Sequence, residues 1–348
     1  MKKKSLLAAL LLSALLVPAG AFAAAPETPD VHVDAATEHL TDKAPSETIR
    51  VKPEKAEIRQ ISNVVYEQVP MRGYPNVAMK MDILQPQKRT APLPAIVFIT
   101  GGGFVNANKD NGAQLRMHLA EHGYVVASIE YRVAPTARFP EPLEDVKASI
   151  RYLKANAQKF HIDPARVGVI GGSAGGYLSA FAGTTSGTTT FDTGENLDVT
   201  SDVRAAVDLY GLSDLTQIGA DYDAENQARY RSPGATEALW VNGSPVFGGV
   251  DGGIPAHPEA AAAANPINYI WRKSAPMLLM HGTADTVVSP SETDLLYQAL
   301  QNARIPSERY LVENAQHGGV YWVQDKVLDI ITNFFDRYLK NDGVSLWQ

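Results

Sequence analysis

Short apolar segments alternate with amphipathic segments along most of the chain. In residues 143–160, apolar side chains recur at every third or fourth position, which places them on one stripe of a helix. Other segments are apolar at nearly every position, as in strands of a parallel sheet that helices cover on both faces. Three such runs are residues 95–100, 167–170 and 277–280. The alternation therefore predicts an α/β fold with a mostly parallel central sheet and helices on both sides.

Two regions depart from this alternation. Residues 64–69 and 77–84 are short strand-like runs separated by a turn with Gly and Pro, which predicts an antiparallel hairpin. Residues 213–273 are rich in Gly, Pro and Ala and contain no convincing core strand. Insertions of this length in a compact domain usually form a lid or a binding loop, so we expect a cap over the functional site. A surface excursion without a role is the alternative.

The amino-terminal region has the pattern of a secretory signal. Three lysines at positions 2–4 precede an apolar run over residues 6–17, and Ala21-Phe22-Ala23 forms a cleavage site. We expect residues 1–23 to be removed and the protein to be exported, either to a periplasm or out of the cell. A single membrane anchor is the alternative, although the run is short for a span, so we expect no stable membrane insertion after cleavage.

Residues 24–60 are rich in Pro, Glu, Asp and Thr, which predicts a flexible leader before an α/β domain over residues 61–348. The formal net charge is −7 and becomes −10 when the three signal lysines are removed, which argues against a nucleic-acid partner. The absence of cysteine excludes disulfides, thiolate metal sites and a cysteine nucleophile. The pattern does not indicate an oligomeric state.

A strand, a tight turn and a helix start follow one another around a G-x-S-x-G motif in residues 167–177. Such a turn holds its serine above the end of the strand. Gly171 and Gly175 flank Ser173, where larger side chains would collide with the neighbouring strand and helix. The motif predicts Ser173 as a nucleophile, and an ordinary Gly-rich turn is the alternative.

A serine hydroxyl needs an imidazole to accept its proton and a carboxylate to orient that imidazole. In folds with this turn, the acid and then the histidine follow the serine along the chain. Asp285 follows the apolar run 277–280 and His317 follows the run 309–312, so both lie just beyond strand ends. Because parallel strands end at one edge of a sheet, we expect these side chains to meet Ser173 there. A turn or helix-capping role for Asp285, a structural role for His317 and Glu313 as the acid are the alternatives.

The apolar run 95–100 leads directly into three consecutive glycines at positions 101–103. Glycines let the backbone approach a substrate and direct amide groups at a developing negative charge. We therefore predict an oxyanion hole formed by the backbone amides of Gly102, Gly103 and Ala174. The sequence has neither a phosphate-binding loop motif nor a dinucleotide-binding motif in this region, so we expect no nucleotide cofactor.

With these motifs, residues 64–339 resemble the hormone-sensitive-lipase-like and feruloyl-esterase-like carboxylesterases of the α/β-hydrolase fold. The resemblance rests on residues 101–104, 131–135 with 139–140 and 144–146, 171–176, 265–267 and 281–285. It implies a Ser173–His317–Asp285 triad that works without a cofactor or metal. The implied substrates are small-molecule or carbohydrate esters with short acyl, aryl or acylated-sugar groups, cleaved in two steps through an acyl-enzyme.

The chain departs from the family at Thr100, where the family usually has a histidine before the three glycines. In the family that histidine braces the oxyanion loop. We expect the Thr100 hydroxyl either to brace the loop in its place or to leave it looser. Arg132 and Asp145, in the stretch that follows the next strand, are expected to form a structural ion pair.

Two other functions remain as alternatives. The G-x-S-x-G-G turn also occurs in prolyl-oligopeptidase-like peptidases, which normally carry a propeller domain. Residues 24–60 leave no room for a propeller before the predicted domain, so an esterase is favoured. A catalytically silent hydrolase fold used for binding is the second alternative, but such proteins lose a member of the triad, and all three candidates are present here.

Overall fold

The structure is a computed structural model that describes residues 47–87 and 90–341. The predicted signal at residues 1–23 and most of the predicted leader lie outside the described residues. The chain divides into two units, residues 1–52 and 53–348. In the described part of the first unit, residues 47–52, there is no helix or strand.

The described residues of the second unit form one sheet of eight strands in the order β1-β2-β4-β3-β5-β6-β7-β8. The strands are β1 (Ile58–Met71), β2 (Tyr74–Pro86), β3 (Leu93–Ile99), β4 (Val125–Ile129), β5 (Ile162–Gly172), β6 (Ala205–Leu209), β7 (Met277–Gly282) and β8 (Ser307–Val312). Strands β3 to β8 are parallel, and β2 pairs antiparallel with both β1 and β4. The predicted α/β class with a mostly parallel sheet is confirmed, and the predicted hairpin is β1–β2. Strand β1 begins at Ile58, three residues before the predicted start of the domain at residue 61.

Nine α-helices connect or follow the strands in the described part of the chain. They are α1 (Ala113–Glu121), α2 (Glu141–Ala155), α3 (Ala157–Phe160), α4 (Ala174–Thr184), α5 (Ala224–Tyr230), α6 (Thr236–Asn242), α7 (Pro258–Ala263), α8 (Pro290–Asn302) and α9 (Asp325–Phe335). The helix predicted over residues 143–160 is divided at Asn156 into α2 and α3. Among the described residues, no helix combines the length and the apolar character that a membrane crossing requires.

The sheet is covered on both faces because successive side chains of a strand point to opposite sides. In β3, Val97 and Ile99 belong to a hydrophobic cluster that includes residues of α2, α4 and α8. Ile96 and Phe98 belong to a second cluster, which includes residues of α1 and α9. Burial of both faces explains why the central strands are apolar throughout, and it fixes their carboxyl ends at one edge.

The insertion predicted at residues 213–273 contains α5, α6 and α7, and no strand is present in it. It is attached to the loop after β7 by two tyrosines. The Tyr222 hydroxyl donates to the Asp285 carbonyl oxygen at 3.2 Å, and the Tyr230 hydroxyl donates to the Val287 carbonyl oxygen. These bonds hold the insertion beside the loop that carries Asp285.

Candidate active site

Ser173 lies in the tight turn between β5 and α4, with a φ of 56° and a ψ of −125°. Backbone conformations of this kind are strained for a residue with a side chain and persist only when the surroundings enforce them. The Ser173 amide donates to the Leu209 carbonyl oxygen at 2.9 Å, which ties the turn to β6. A Cβ atom on Gly171 would collide with the Gly175 backbone, and one on Gly175 would collide with the Ile99 backbone. The turn therefore requires glycine on both sides of the serine, as the motif predicts.

His317 contacts both other candidate residues. Its Nε2 lies 2.8 Å from Ser173 Oγ, and its Nδ1 lies 2.7 Å from Asp285 Oδ2. The structure thus brings the three predicted side chains into one hydrogen-bonded chain at the carboxyl edge of the sheet. The rival acid Glu313 is exposed and contacts none of them.

The Asp285 carboxylate is buried and accepts hydrogen bonds from several donors. Burial alone raises the pKa of a carboxyl group, but bonds from His281 and His317, with the charge of His317, lower the pKa of Asp285 below its usual range. The Val287 and Val288 amides donate to Oδ1 at 2.9 and 3.0 Å. Asp285 is therefore anionic at neutral pH and can hold one tautomer of His317.

His281 is a contact of Asp285 that sequence reasoning did not assign. Its ring is buried at the end of β7, and its Nε2 lies 3.3 Å from Asp285 Oδ2 and 2.9 Å from the Val288 carbonyl oxygen. Its place four residues before Asp285 is the sequence signal that could have shown it. The acid is thus held from two sides by imidazole rings.

The three glycines after β3, at positions 101–103, lie in a tight turn beside Ser173. Gly103 has a φ of 57°, and a Cβ on Gly101 would lie 2.5 Å from the Gly172 carbonyl oxygen. The backbone amides of Gly102, Gly103 and Ala174 donate to no group in the described parts of the chain. Three unpaired amides beside a serine can donate hydrogen bonds to an oxygen atom on which negative charge develops.

Thr100 takes part in a small network that holds this loop. Its hydroxyl donates to the Gly101 carbonyl oxygen at 3.1 Å and accepts from Asn111 Nδ2 at 3.3 Å. Its carbonyl oxygen accepts from the buried Tyr131 hydroxyl at 2.8 Å. Of the two expectations for Thr100, the structure shows the bracing contact. Asn111 and Tyr131 complete it, although neither was singled out from the sequence.

A cavity of about 460 Å³ lies at Ser173. Its walls come from the loop after β3, the start of α1, the end of β6, the loop around His317 and the turn before α9. None of its lining residues belongs to residues 213–273, so the structure does not confirm the expected cap over the site. The hydrogen bonds of the insertion to the loop after β7 hold it beside the cavity rather than in its wall.

Tyr210 lines the cavity and, like His281, was not singled out from the sequence. It follows directly after β6, and its ring lies with its centroid 5.0 Å from that of His317 at an interplanar angle of 66°. Its sequence signal is its position at the carboxyl end of a predicted strand, the same signal that pointed to Asp285 and His317.

The expected pairing of Arg132 and Asp145 is present away from this cavity. Arg132 Nη2 lies 2.7 Å from Asp145 Oδ1, and Arg132 also contacts Glu141 and Glu144. Burial by itself would lower the pKa of Arg132, but its hydrogen bonds and charge contacts with Asp145 raise it above the usual range.

The described residues include no group of three or more His, Cys, Asp or Glu side chains arranged to hold a metal ion.

Comparison with known proteins identifies the family of the chain. The BD-FAE family model matches residues 81–300. The chain belongs to the BD-FAE family. This membership confirms the resemblance to feruloyl-esterase-like α/β-hydrolases, and the sheet order and helices confirm the α/β-hydrolase fold.

Several proteins that are similar to this chain are named as esterases. The chain is 32% identical to esterase LipC of Mycobacterium tuberculosis over 231 residues, which cover 66% of this chain and 54% of LipC. A solved truncated carbohydrate esterase from gut microbiota is 27% identical with a TM-score of 0.70, over 81% of this chain and 97% of that one. A bifunctional GH43-CE protein of Bacteroides eggerthii is 28% identical with a TM-score of 0.68, over 80% and 35%. The chain spans about half the length of the curated relatives it matches.

Proposed function

We propose that this protein is a serine esterase that hydrolyses carboxylic esters through an acyl-enzyme. The observation that carries the proposal is the hydrogen-bonded chain from Ser173 Oγ through His317 to Asp285 Oδ2, with distances of 2.8 and 2.7 Å. Its position at the carboxyl edge of the sheet, inside a cavity, supports the same reading. The esterase names of the relatives agree with this chemistry.

In the first step, Ser173 Oγ attacks the ester carbonyl carbon while His317 Nε2 accepts its proton. Asp285 stabilises the imidazolium that forms and keeps the ring oriented. His317 then gives the proton to the departing alkoxide, so an alcohol leaves and Ser173 carries the acyl group. In the second step, a water gives its proton to His317 and attacks the acyl carbon, which releases the acid and restores Ser173.

The negative charge on the carbonyl oxygen needs donors at each tetrahedral stage. The unpaired amides of Gly102, Gly103 and Ala174 are the candidates for this oxyanion hole, and Thr100 with Asn111 supports the loop that carries two of them. Removal of one such donor in a serine hydrolase typically costs about 100- to 1000-fold in kcat.

The decisive experiment replaces Ser173 with alanine. Ser173→Ala should lower kcat by about 10³-fold or more, because no other described hydroxyl lies at His317 Nε2. A matched control is Ser179→Ala on α4, the helix that follows Ser173, because the buried Ser179 hydroxyl has no hydrogen-bond partner among the described residues. The control should keep wild-type turnover.

Covalent labelling separates an esterase from a silent binding protein. A fluorophosphonate should label the folded wild-type protein and the Ser179→Ala variant but not Ser173→Ala. Full activity in Ser173→Ala, or folded wild-type protein that takes no label, would contradict the proposal. Cleavage of peptides but not of esters would favour a peptidase.

We also propose that the substrates are esters of small molecules or carbohydrates. The carbohydrate-esterase neighbours and a cavity of about 460 Å³, within the usual size for small-ligand sites, support this class. A panel of acetyl, butyryl, octanoyl and feruloyl esters together with acetylated polysaccharide would identify the acyl group. Turnover confined to long acyl chains would exclude the carbohydrate-ester reading.

We propose export of the protein on the basis of residues 1–23. Expression of the full chain in a bacterial host should yield a mature protein that begins at Ala24. Amino-terminal sequencing and fractionation of the host test this directly. Retention of residues 1–23 on protein recovered from the membrane fraction would favour an anchor.

A further inference from the structure

The hydroxyl group of Tyr210 lies between the backbone segments that carry Ser173 and His317. A Cβ atom on Gly172 would lie 2.6 Å from this hydroxyl oxygen, and one on Gly318 would lie 3.8 Å from it. Gly172 directly precedes Ser173, and Gly318 directly follows His317. The lack of a side chain at Gly172 is what leaves room for the phenol beside the nucleophile.

This hydroxyl has no hydrogen-bond partner within residues 47–87 and 90–341. Buried tyrosine hydroxyls usually find one. The buried Tyr131 and Tyr177 follow this rule, since their hydroxyls donate to carbonyl oxygens at 2.8 and 2.7 Å. Tyr210 instead lines the cavity at Ser173, so its hydroxyl is available to a molecule bound there.

Tyr210 has a strained backbone conformation and is held in place by a backbone hydrogen bond and by ring packing. Its φ is 45°, an uncommon value for a residue with a side chain, and its amide donates to the Met280 carbonyl oxygen at 2.7 Å. Its ring packs against Trp322 with centroids 4.5 Å apart and against His317. Strained residues of this kind concentrate at functional sites, where the surroundings enforce them.

Tyr210 remains protonated at neutral pH. Burial raises the pKa of its phenol to about 12, and the charges of Asp285 and Asp208 act in the same direction. The group is therefore a hydrogen-bond donor throughout the range in which His317 can act as a base, and it does not itself transfer a proton.

The position of Tyr210 relative to the sheet shows which part of a substrate it can reach. Strand β5, which Ser173 directly follows, lies between β3 and β6. The oxyanion loop follows β3, and Tyr210 follows β6, so the two flank the nucleophile from opposite sides. The carbonyl oxygen of an ester would face the oxyanion loop, which leaves the alkoxy oxygen on the side of His317 and Tyr210.

We propose that the Tyr210 hydroxyl donates a hydrogen bond to the alkoxy oxygen of the leaving alcohol, which suits the site to esters of aliphatic and sugar alcohols. The inference rests on the proposed esterase function and specifies its substrate class. Alkoxides of such alcohols are poor leaving groups and need the help of a donor, whereas phenolates leave without it.

The step conserves atoms and charge. The bond between Ser173 Oγ and the acyl carbon forms, and the bond between that carbon and the alkoxy oxygen breaks. The proton taken from Ser173 Oγ passes from His317 Nε2 to the leaving oxygen. Tyr210 keeps its proton and stabilises the negative charge that builds up on that oxygen before the proton arrives.

The test compares two series of acetate esters with wild type and Tyr210→Phe, which removes only the hydroxyl oxygen. The aryl series contains 4-nitrophenyl and phenyl acetate, and the alkyl series contains ethyl acetate and an acetylated methyl xyloside. Tyr210→Phe should lower kcat/KM for the alkyl series by about 10- to 100-fold, the usual effect of a hydrogen bond to a charged group. The loss for the aryl series should stay below about threefold.

Tyr124→Phe is the matched control, since Tyr124 precedes β4 at the opposite edge of the sheet and its hydroxyl donates to Asp336. This variant should leave the ratio of alkyl to aryl turnover unchanged. An equal loss in both series for Tyr210→Phe, or no loss, would overturn the role of Tyr210 while leaving the esterase function intact. If the folded wild-type protein hydrolysed no ester in either series, both proposals would fail.

A second readout is the slope of kcat/KM against the acidity of the leaving alcohol. Because His317 also gives a proton to the leaving oxygen, the contribution of Tyr210 is the difference in slope between two proteins. As the alcohol becomes less acidic across the two series, kcat/KM should decline less steeply for wild type than for Tyr210→Phe. Equal slopes in the two proteins would contradict the proposal.

Discussion

Asp208 and Asp285 are buried aspartates, one within β6 and one in the loop after the neighbouring strand β7, yet the pKa values of their carboxyl groups shift in opposite directions. Asp208 lies within β6, where burial raises its pKa to about 8 despite one hydrogen bond from the Gly211 amide. Its Oδ2 atom has no partner among the described residues. Asp285 lies just beyond β7, where hydrogen bonds from His281 and His317 outweigh burial and lower its pKa.

The difference shows that hydrogen-bond donors outweigh burial at Asp285 but not at Asp208. Asp285 lies in a loop, where amides and imidazoles can approach both oxygens. Asp208 points from a strand whose own amides are committed to the sheet, so few donors reach it. Only the first arrangement gives the anion that a catalytic histidine requires.

The largest effect should come from removing the charge at Asp285. Asp285→Asn should lower kcat by about 10⁴-fold, because the amide would favour the wrong tautomer of His317 and could not stabilise the imidazolium. Steady-state kinetics with a soluble acetate ester measures this. Asp208→Asn is the matched control and should change kcat by less than about threefold. Similar losses in both variants would remove the distinction between the two carboxyl groups.

The second prediction concerns how stability depends on pH. Because the folded-state pKa of Asp208 is raised to about 8, the folded protein holds a proton that the unfolded chain releases above about pH 4. The stability that Asp208 contributes is therefore complete below about pH 4 and is lost as the pH rises towards 8. Between pH 5 and 8, wild type should lose on the order of 4 kcal/mol more stability than Asp208→Asn, because one proton contributes about 1.4 kcal/mol per pH unit.

Urea unfolding of both proteins at pH 5 and pH 8 measures this difference. The buried Glu292, whose pKa is raised to about 7, contributes a slope of the same sign in both proteins, so the difference between the two pH profiles reports Asp208 together with its charge coupling to Glu292. Parallel pH profiles for the two proteins would show that Asp208 is ionised in the fold.

The candidate site residues that could be predicted from the sequence are those whose role follows from their position after a strand. Ser173, Asp285 and His317 each follow a recognisable strand, and the order of strand ends brought them together. His281 and Tyr210 also lie at strand ends, but their importance depends on which atoms their rings face, and only packing in three dimensions decides that.

The insertion at residues 213–273 illustrates the other limit of sequence reasoning. Its composition indicates an irregular segment and was correct in that respect, since only short helices form there. Its location depends on packing against the core and on hydrogen bonds such as those from Tyr222 and Tyr230 to the loop after β7. No periodicity in the sequence encodes such contacts, so the expectation of a cap over the cavity could not be checked before the structure.

The third prediction weakens the support of Asp285 without removing its charge. His281→Gln should lower kcat by about tenfold, the usual cost of one hydrogen bond at a charged group, because the carboxylate loses one of its imidazole donors. The depressed pKa of Asp285 contributes stability above its unfolded pKa that is lost as the pH falls through the folded value. The acid-unfolding midpoint of His281→Gln should therefore lie at higher pH than that of wild type.

His118→Gln serves as the control for this variant, since His118 lies on α1 and contacts Thr332. It should change neither kcat nor the contribution of Asp285. If His281→Gln kept full activity and the wild-type acid midpoint, the low pKa of Asp285 would be due to His317 and the loop amides alone.

The smallest effect should come from the glycine loop over residues 101–103. A variant of Thr100 tests whether the neutral hydroxyl of this residue holds that loop. Thr100→Val keeps the shape of the side chain but removes the hydroxyl that links the Gly101 carbonyl to Asn111. A neutral hydrogen bond contributes about 1 kcal/mol, so kcat should fall about fivefold while KM changes little, because the loop acts mainly on the transition state. Thr100→Ser restores the hydroxyl and should recover most of the activity. Equal losses in Thr100→Ser and Thr100→Val would mean that packing of the methyl group, rather than the hydroxyl, holds the loop.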